Sequence, residues 1–160
     1  MSTPQGEPDQ PPRSAWLTEM LAEQKVSRVG IQRGRAGDLL TQARRHVDSA
    51  DRLATEDPTL ALAACHDAIR KAIDAHAGAL GYRIQNRPGH HRTVLEYARH
   101  QLDEVITSAE VDEADRLRLR RHKAEYGEIL SGALGEPEIR RYIDAARRMV
   151  VAITGAVATV

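Results

Sequence analysis

The sequence predicts an all-α fold, an antiparallel bundle of four to five long helices preceded by a short N-terminal helix. Three observations support this prediction. Apolar residues recur at spacings of three and four along most of the 160-residue chain. Helix-capping and helix-ending residues separate these periodic segments. No segment alternates apolar and polar residues in the way that a half-buried strand does.

The N-terminal part is predicted to be less regular than the rest. Residues 1–13 hold four of the seven prolines, which is typical of a disordered tail. Residues 14–37 are predicted to form an N-terminal helix and a connector. Ser14 caps this helix, which is expected to run to about Lys25 and to be fixed to the bundle or to a second subunit by Trp16.

Residues 38–160 are predicted to form the bundle. Asp57 followed by proline indicates a helix start, Thr107 and Glu110 fit a capping box, and Gly81 is placed as the residue that ends a helix. The predicted helices are residues 38–53, 58–80, 91–106, a helix from 107 that Gly132 and Gly135 end, and a last helix from Pro137.

Composition limits the classes of function. The net charge is zero, so any attraction for anions must be local. No apolar run is long enough to cross a bilayer, and no apolar core of a signal peptide is present. The single cysteine, Cys65, excludes an internal disulfide and lies among alanines, which indicates an inert buried thiol. We therefore expect a cytoplasmic protein that does not bind membranes.

The segment from Arg116 to Tyr126 stands out chemically. Five cations fall between Arg116 and Lys123 within one predicted helix, where they repel one another. An acidic face of the same protein, an anionic partner or a chemical role could offset this repulsion. Carboxylates lie immediately upstream and downstream, so local pairing could satisfy several of the arginines.

Three motifs carry a family resemblance: ACHDAIRKAIDA at residues 64–75 running into LGYR at 80–83, HH at 90–91 followed by VLEYA at 94–98, and RRHKAEYG at 120–127. With these motifs the chain resembles, from about residue 40 to 157, the HEPN family, helical bundles of prokaryotic toxin–antitoxin and defence systems. The last motif is similar to the Arg-Asn-x-x-Glu-Tyr variant of an actinobacterial branch of that family.

The resemblance implies a HEPN-like bundle and a metal-independent ribonuclease without a cofactor. Active members carry an arginine, usually a polar residue next, and a histidine after four to six intervening positions. Arg121 matches the arginine, His122 falls at the polar position, and Tyr126 falls where the histidine belongs. These three residues are the predicted catalytic set. In a second register, Arg116 and His122 have the required spacing.

The residues themselves fit such chemistry, because RNA cleavage needs a base for the 2′-hydroxyl and a cation for the transition state. Histidine suits the first role and arginine the second. Arg121 lies at the edge of an apolar stripe, so we expect it to pair with a buried carboxylate, Asp67 or Asp74.

A second group of basic residues lies around the start of the fourth helix of the bundle. Together with the cation-rich segment it could line a groove for a phosphate backbone. The two adjacent histidines do not have the spacing of a metal site. The predicted RNA-binding residues are Arg83, Arg87, His90, His91, Arg92, Arg116, Arg118, Arg120 and Lys123.

The resemblance also implies partners. These are RNA, a second copy of the chain in a homodimer, and a cognate antitoxin or a nucleotidyltransferase that modifies Tyr126. The alternative is a non-catalytic interaction module, antitoxin-like or an adaptor, in which the arginine-rich helix is structural. The RNA-directed hypothesis requires the guanidinium groups to face a shared crevice, whereas the alternative expects them to be tied singly to neighbouring carboxylates.

Overall fold

The computed structural model describes residues 12–127 and 134–160, and within them the all-α bundle is confirmed. Of the predicted disordered tail, residues 1–11 lie outside this part, as does Gly132. The elements are α1 (Ala15–Ala22), β1 (Val26–Arg28), α2 (Arg33–Leu53), α3 (Pro58–Ala79), β2 (Tyr82–Ile84), α4 (His90–Gln101), α5 (Ser108–Glu125) and α6 (Glu136–Val157).

The core is built on α3, which packs along α2 and is covered by α6 and α5. Alanines such as Ala43 on α2 and Ala68 on α3 are completely buried, and small side chains let the two helices approach closely. Larger side chains of α6, including Ile143 and Met149, fill the space above this pair. The molecule therefore has one continuous core with α3 at its centre.

The predicted helix ends are confirmed at three places. The Asp57 carboxylate accepts a hydrogen bond from the Leu60 amide at 3.1 Å. Thr107 and Glu110 form both hydrogen bonds of the capping box at the start of α5. Gly81 has a φ of +83°, a conformation that favours glycine, immediately after α3.

Two short strands accompany the helices, although no segment of the sequence alternates apolar and polar residues. β1 pairs with β2 in antiparallel fashion, with Val26 opposite Ile84 and both side chains buried. β2 lies between the predicted helices 58–80 and 91–106. Each strand has three residues, too few to show a period of two in the sequence.

Some helix boundaries also differ from the prediction. α2 begins at Arg33 instead of Asp38, since burial of Ala36 offsets the cost of two glycines in its first turns. α4 ends at Gln101, and the turn after it buries Leu102 and Ile106 but leaves Val105 exposed, although it is not helical. α5 ends at Glu125 rather than at Gly135.

The N-terminal helix is fixed to the bundle by aromatic contacts. The Trp16 ring stacks on His100 with 5.1 Å between centroids and meets Tyr97 edge-on at 6.2 Å. The Gln101 side-chain amide donates to the Ser14 hydroxyl, which also caps α1. Trp16 thus pins α1 onto α4, one of the two placements expected for it. None of the described helices has the length and apolar character that a bilayer crossing requires.

Candidate anion-binding site

Every arginine of the cation-rich segment on α5 contacts a carboxylate. Exposed pairs of this kind add little stability, but they balance charge. The positive charge of α5 is therefore largely neutralised within the chain. The pairs and their N–O distances are Arg116–Glu113 at 2.6 Å, Arg118–Asp115 at 2.8 Å, Arg120–Glu138 at 2.6 Å and Arg121–Glu125 at 2.9 Å.

The two other predicted catalytic residues lie on the outside of α5. The rings of His122 and Tyr126 are 4.5 Å apart, and Tyr126 is 70% exposed. Lys123 is exposed beside them. Arg121 instead lies near histidines of α3 and α4, as described below. Within one chain, the structure does not bring the three predicted catalytic residues to one point.

The expected pairing of Arg121 with Asp67 or Asp74 is wrong. Both carboxylates bind Arg70, which lies between them on α3 and reaches Asp74 at 3.1 Å. Arg121 pairs with Glu125, four residues further along its own helix. A same-helix neighbour at this spacing is already within reach, so no long-range partner is needed.

Two histidines meet where α3, α4 and α5 come together. The rings of His66 and His91 are 5.0 Å apart and close a small apolar recess lined by Ile69 and Val94. Burial, with a further contribution from the nearby Arg121 guanidinium, lowers the pKa of His66 to about 3.

His91 is the accessible member of this pair. Partial burial, then the neighbouring His90 and Arg121, lower the pKa of His91 below its usual value. An exposed imidazole that stays neutral at pH 7 can accept a proton. Arg121 adds a second unusual feature, because its Nε is buried and has no hydrogen-bond partner in the described part of the chain.

A larger groove lies beside these histidines, with a volume of about 510 Å³. It is bordered by the first turns of α2, the middle of α3, β2 and the start of α4. Within the part of the chain that the structure describes, the only carboxylate on its walls is Asp74, which Arg70 already contacts. The lining residues are Arg35, Arg70, Asp74, Tyr82, Arg83, Ile84, Gln85, Asn86, His90 and His91.

The predicted second basic group is therefore divided. Arg83, His90 and His91 border the groove. Arg87 is turned away and donates to the backbone carbonyls of Glu23 and Gln24, at 3.3 and 3.0 Å, so that it ties the loop to the end of α1.

Arg92 borders a different recess of about 240 Å³, between α4 and α5. Arg118 also lines this recess, so the structure brings one residue of each predicted basic group together. Glu96 and Asp115 share the recess and offset these cations.

Sequence reasoning missed three residues of this region, His66, Arg70 and Arg35. The signal for the first two was present, because they interrupt a helix that otherwise consists mostly of alanine and other apolar residues. A polar residue on such a helix is expected to have a partner in the folded chain. Arg35 gave no signal, because residues 33–37 were expected to belong to a connector.

Cys65 is buried, as expected, and burial raises the pKa of its thiol to about 12. Across residues 12–127 and 134–160, no three His, Cys, Asp or Glu side chains are grouped in a way that could hold a metal ion.

Comparison with known proteins finds no match for this chain. No protein-family model matches the chain, and no curated protein or solved structure shows a significant match to it. The resemblance to the HEPN family therefore stays a prediction that depends on the motifs themselves.

Proposed function

We propose that the protein is a HEPN-type helical domain of a toxin–antitoxin or phage-defence system that binds RNA and cleaves it without a metal ion. The observation that supports this most directly is the position of Arg121. The motif arginine is close enough to His66 and His91 to lower the pKa of both, and His91 is exposed.

The proposed reaction uses these two groups. His91 takes the proton of a ribose 2′-hydroxyl, and the 2′-oxygen attacks the adjacent phosphorus. The bond to the 5′-oxygen breaks, and that oxygen takes a proton from solvent, which leaves a 2′,3′-cyclic phosphate and a 5′-hydroxyl. Arg121 stabilises the added negative charge of the transition state. His122, the histidine within the motif, is the competing candidate for the base.

Dimerisation is part of the proposal. Two copies would place two α5 helices along one cleft, so that His122 and Tyr126 of each chain could meet RNA held by the other. The exposure of the Tyr126 ring also suits its modification by a nucleotidyltransferase. Intact-mass measurement after co-expression with such an enzyme tests this, and an unmodified peptide containing Tyr126 contradicts it.

Incubation of the purified protein with labelled structured RNA, with and without a chelator, tests the central claim. We expect cleavage that the chelator does not affect, and its loss in Arg121→Ala and His91→Ala. Arg52→Ala, a change of an exposed residue at the far end of α2, is the matched control and should cleave normally. Undiminished cleavage by a variant that lacks both Arg121 and His122 would exclude the motif. Loss of cleavage in His122→Ala but not in His91→Ala would assign the base to His122.

The second candidate, a non-catalytic interaction module, is supported by the ion pairs of α5. Each arginine there already has a carboxylate partner, as a structural helix would require. The occurrence of Tyr126 at the histidine position of the motif also favours a non-catalytic module. Tight binding of RNA or of an acidic protein without any cleavage would favour this module over the ribonuclease.

A further inference from the structure

The groove between α2, α3, β2 and α4 is lined by more cationic than anionic side chains. Three guanidinium groups reach it from three separate elements, Arg35 from α2, Arg70 from α3 and Arg83 from β2. Among the described residues, Asp74 is the only carboxylate on its walls. The charged side chains that line the groove therefore sum to about +2, without histidine and without Asp67, which pairs with Arg70 from outside the lining.

Two of these arginines are available to a ligand. Within residues 12–127 and 134–160, neither Arg35 nor Arg83 forms an ion pair. Arg35 makes one long hydrogen bond, of 3.4 Å, to the Gln32 side chain, and Arg83 is exposed on β2. Arg70 is held in place by Asp67 and Asp74, which gives the groove one fixed guanidinium between two adaptable ones.

Neutral hydrogen-bonding groups extend the site beyond the arginines. His90 Nδ1 donates to the Gln85 carbonyl oxygen at 2.8 Å, which leaves Nε2 available. The Asn86 side chain is exposed on the same wall. The start of α4, which has no side-chain cap, adds its partial positive charge to this side.

The charge and size of the groove select a class of ligand. A phosphate monoester carries close to two negative charges at neutral pH, which matches the groove, whereas each phosphodiester of a nucleic-acid backbone carries one. Planar guanidinium groups suit the oxygens of a terminal phosphate. A volume of about 510 Å³ is in the range of small-molecule sites.

We propose that this groove binds a phosphomonoester of nucleotide size, with the terminal phosphate on Arg35, Arg70 and Arg83 and the remainder along Gln85 and Asn86. A free nucleoside monophosphate and the 5′-phosphorylated end of an RNA both present this group. The cleavage proposed above needs Arg121 and His91 and does not need Arg35 or Arg83, so either proposal can fail without the other.

Calorimetric titration of the full chain tests the site. The first pair of ligands, the mononucleotide pair, is adenosine 5′-monophosphate and adenosine. The second, the RNA pair, is one short RNA carrying either a 5′-phosphate or a 5′-hydroxyl. This RNA is chosen to be too short and too simple in sequence to be cut. We expect the phosphorylated member of at least one pair to bind about tenfold more tightly than its partner. Preference within the mononucleotide pair identifies a free nucleotide, and preference within the RNA pair alone identifies an RNA end.

Variants locate the binding. Arg83→Ala should weaken binding of the phosphorylated ligand about tenfold, and the double change of Arg35 and Arg83 to alanine about a hundredfold. Both residues are outside the core, so circular dichroism should show an unchanged fold. Arg52→Ala, a change of an exposed arginine at the far end of α2, is the matched control and should bind normally. Equal binding of phosphorylated and unphosphorylated ligands, no binding at all, or unchanged binding in the double variant would each overturn the proposal.

Discussion

Two regions of this molecule are rich in arginine, and they differ in how the charge is held. On α5 the arginines lie within six positions of one another in sequence, and each has a carboxylate within 3 Å. In the groove the arginines come from three separate elements, and among the described lining residues Asp74 is the single carboxylate. The more conspicuous cluster in the sequence is thus the more neutralised one in the structure.

The difference follows from where carboxylates can reach. On one helix, an acidic residue three or four positions from an arginine lies beside it, so a segment rich in both signs neutralises itself. Residues that meet only through the tertiary fold have no such built-in neighbour. Charge that is available to a ligand is therefore better judged from convergence in space than from density along the chain.

Acidification should separate the surroundings of the two regions most strongly, because His66 lies in the small recess next to the groove whereas His122 lies on α5. The fold keeps His66 neutral, with a pKa of about 3 against an ordinary value of 6.5, so the unfolded chain takes up the proton first. Stability should fall as the pH drops below 6.5 and level off near 3, by up to about 5 kcal/mol for this residue.

Urea unfolding between pH 7 and pH 4 measures this effect. His66→Gln should reduce the fall in stability, while His122→Gln on the exposed face of α5 should leave it unchanged. The buried His76, whose pKa is lowered to about 4, adds a similar slope in all variants and so cancels in the comparison. Identical slopes for wild type and His66→Gln would contradict the burial of this histidine.

Removal of one arginine from each region should give the next largest difference. Arg70→Ala leaves Asp67 and the mostly buried Asp74 without their shared guanidinium, which should cost about 2 kcal/mol. Arg116→Ala removes an exposed pair and should cost less than about 0.5 kcal/mol. Thermal and urea unfolding of both variants check this, and equal losses would show that Arg70 is no better integrated than a surface residue.

RNA binding should distinguish the regions by its dependence on salt. If the groove arginines contact phosphate, Arg83→Ala should weaken binding about tenfold and lower the slope of log K against log salt by about 0.7. Arg116→Ala should change neither quantity. Fluorescence anisotropy at several salt concentrations provides the measurement. Equal effects of the two substitutions would mean that the ion pairs of α5 open to admit the ligand.

The smallest effect is expected when one arginine of α5 loses its carboxylate partner, so that this part of α5 becomes more like the groove. Arg120 Nε and Nη2 both donate to Glu138, at 2.6 and 3.0 Å, which joins α5 to α6. Glu138→Gln should cost about 0.5 kcal/mol of stability and tighten RNA binding about twofold, because it removes one negative charge beside Arg120. Weaker or unchanged binding would show that neutralisation does not limit this part of the surface.

Local signals made much of the fold predictable. The caps at Asp57 and Thr107 and the periodic apolar stripe of α6 depend on neighbours within a few residues, so the sequence displays them directly. The three-residue strands gave no such signal, because their pairing links residues far apart in the chain. The glycines near Arg33 obscured the first turns of α2 for the same reason, since tertiary packing outweighs their low helix propensity.

The candidate site was only partly predictable. Arg83, His90 and His91 were expected to act together, and the structure does place them on one groove. The presence of Arg35 and Arg70 in the same groove depends on how α2 and α3 pack against β2. No spacing rule within the sequence contains that information.

The short ribbon of β1 and β2 has a consequence for synthesis. Ser27 and Gln85, joined by a side-chain hydrogen bond at one end of the ribbon, are 58 residues apart. A nascent chain thus exposes the first strand well before the ribosome has released the second. Until then α1 also lacks α4, onto which Trp16 stacks. α1 and β1 can therefore reach their final positions only after the two central helices and α4 have emerged, although they leave the ribosome first.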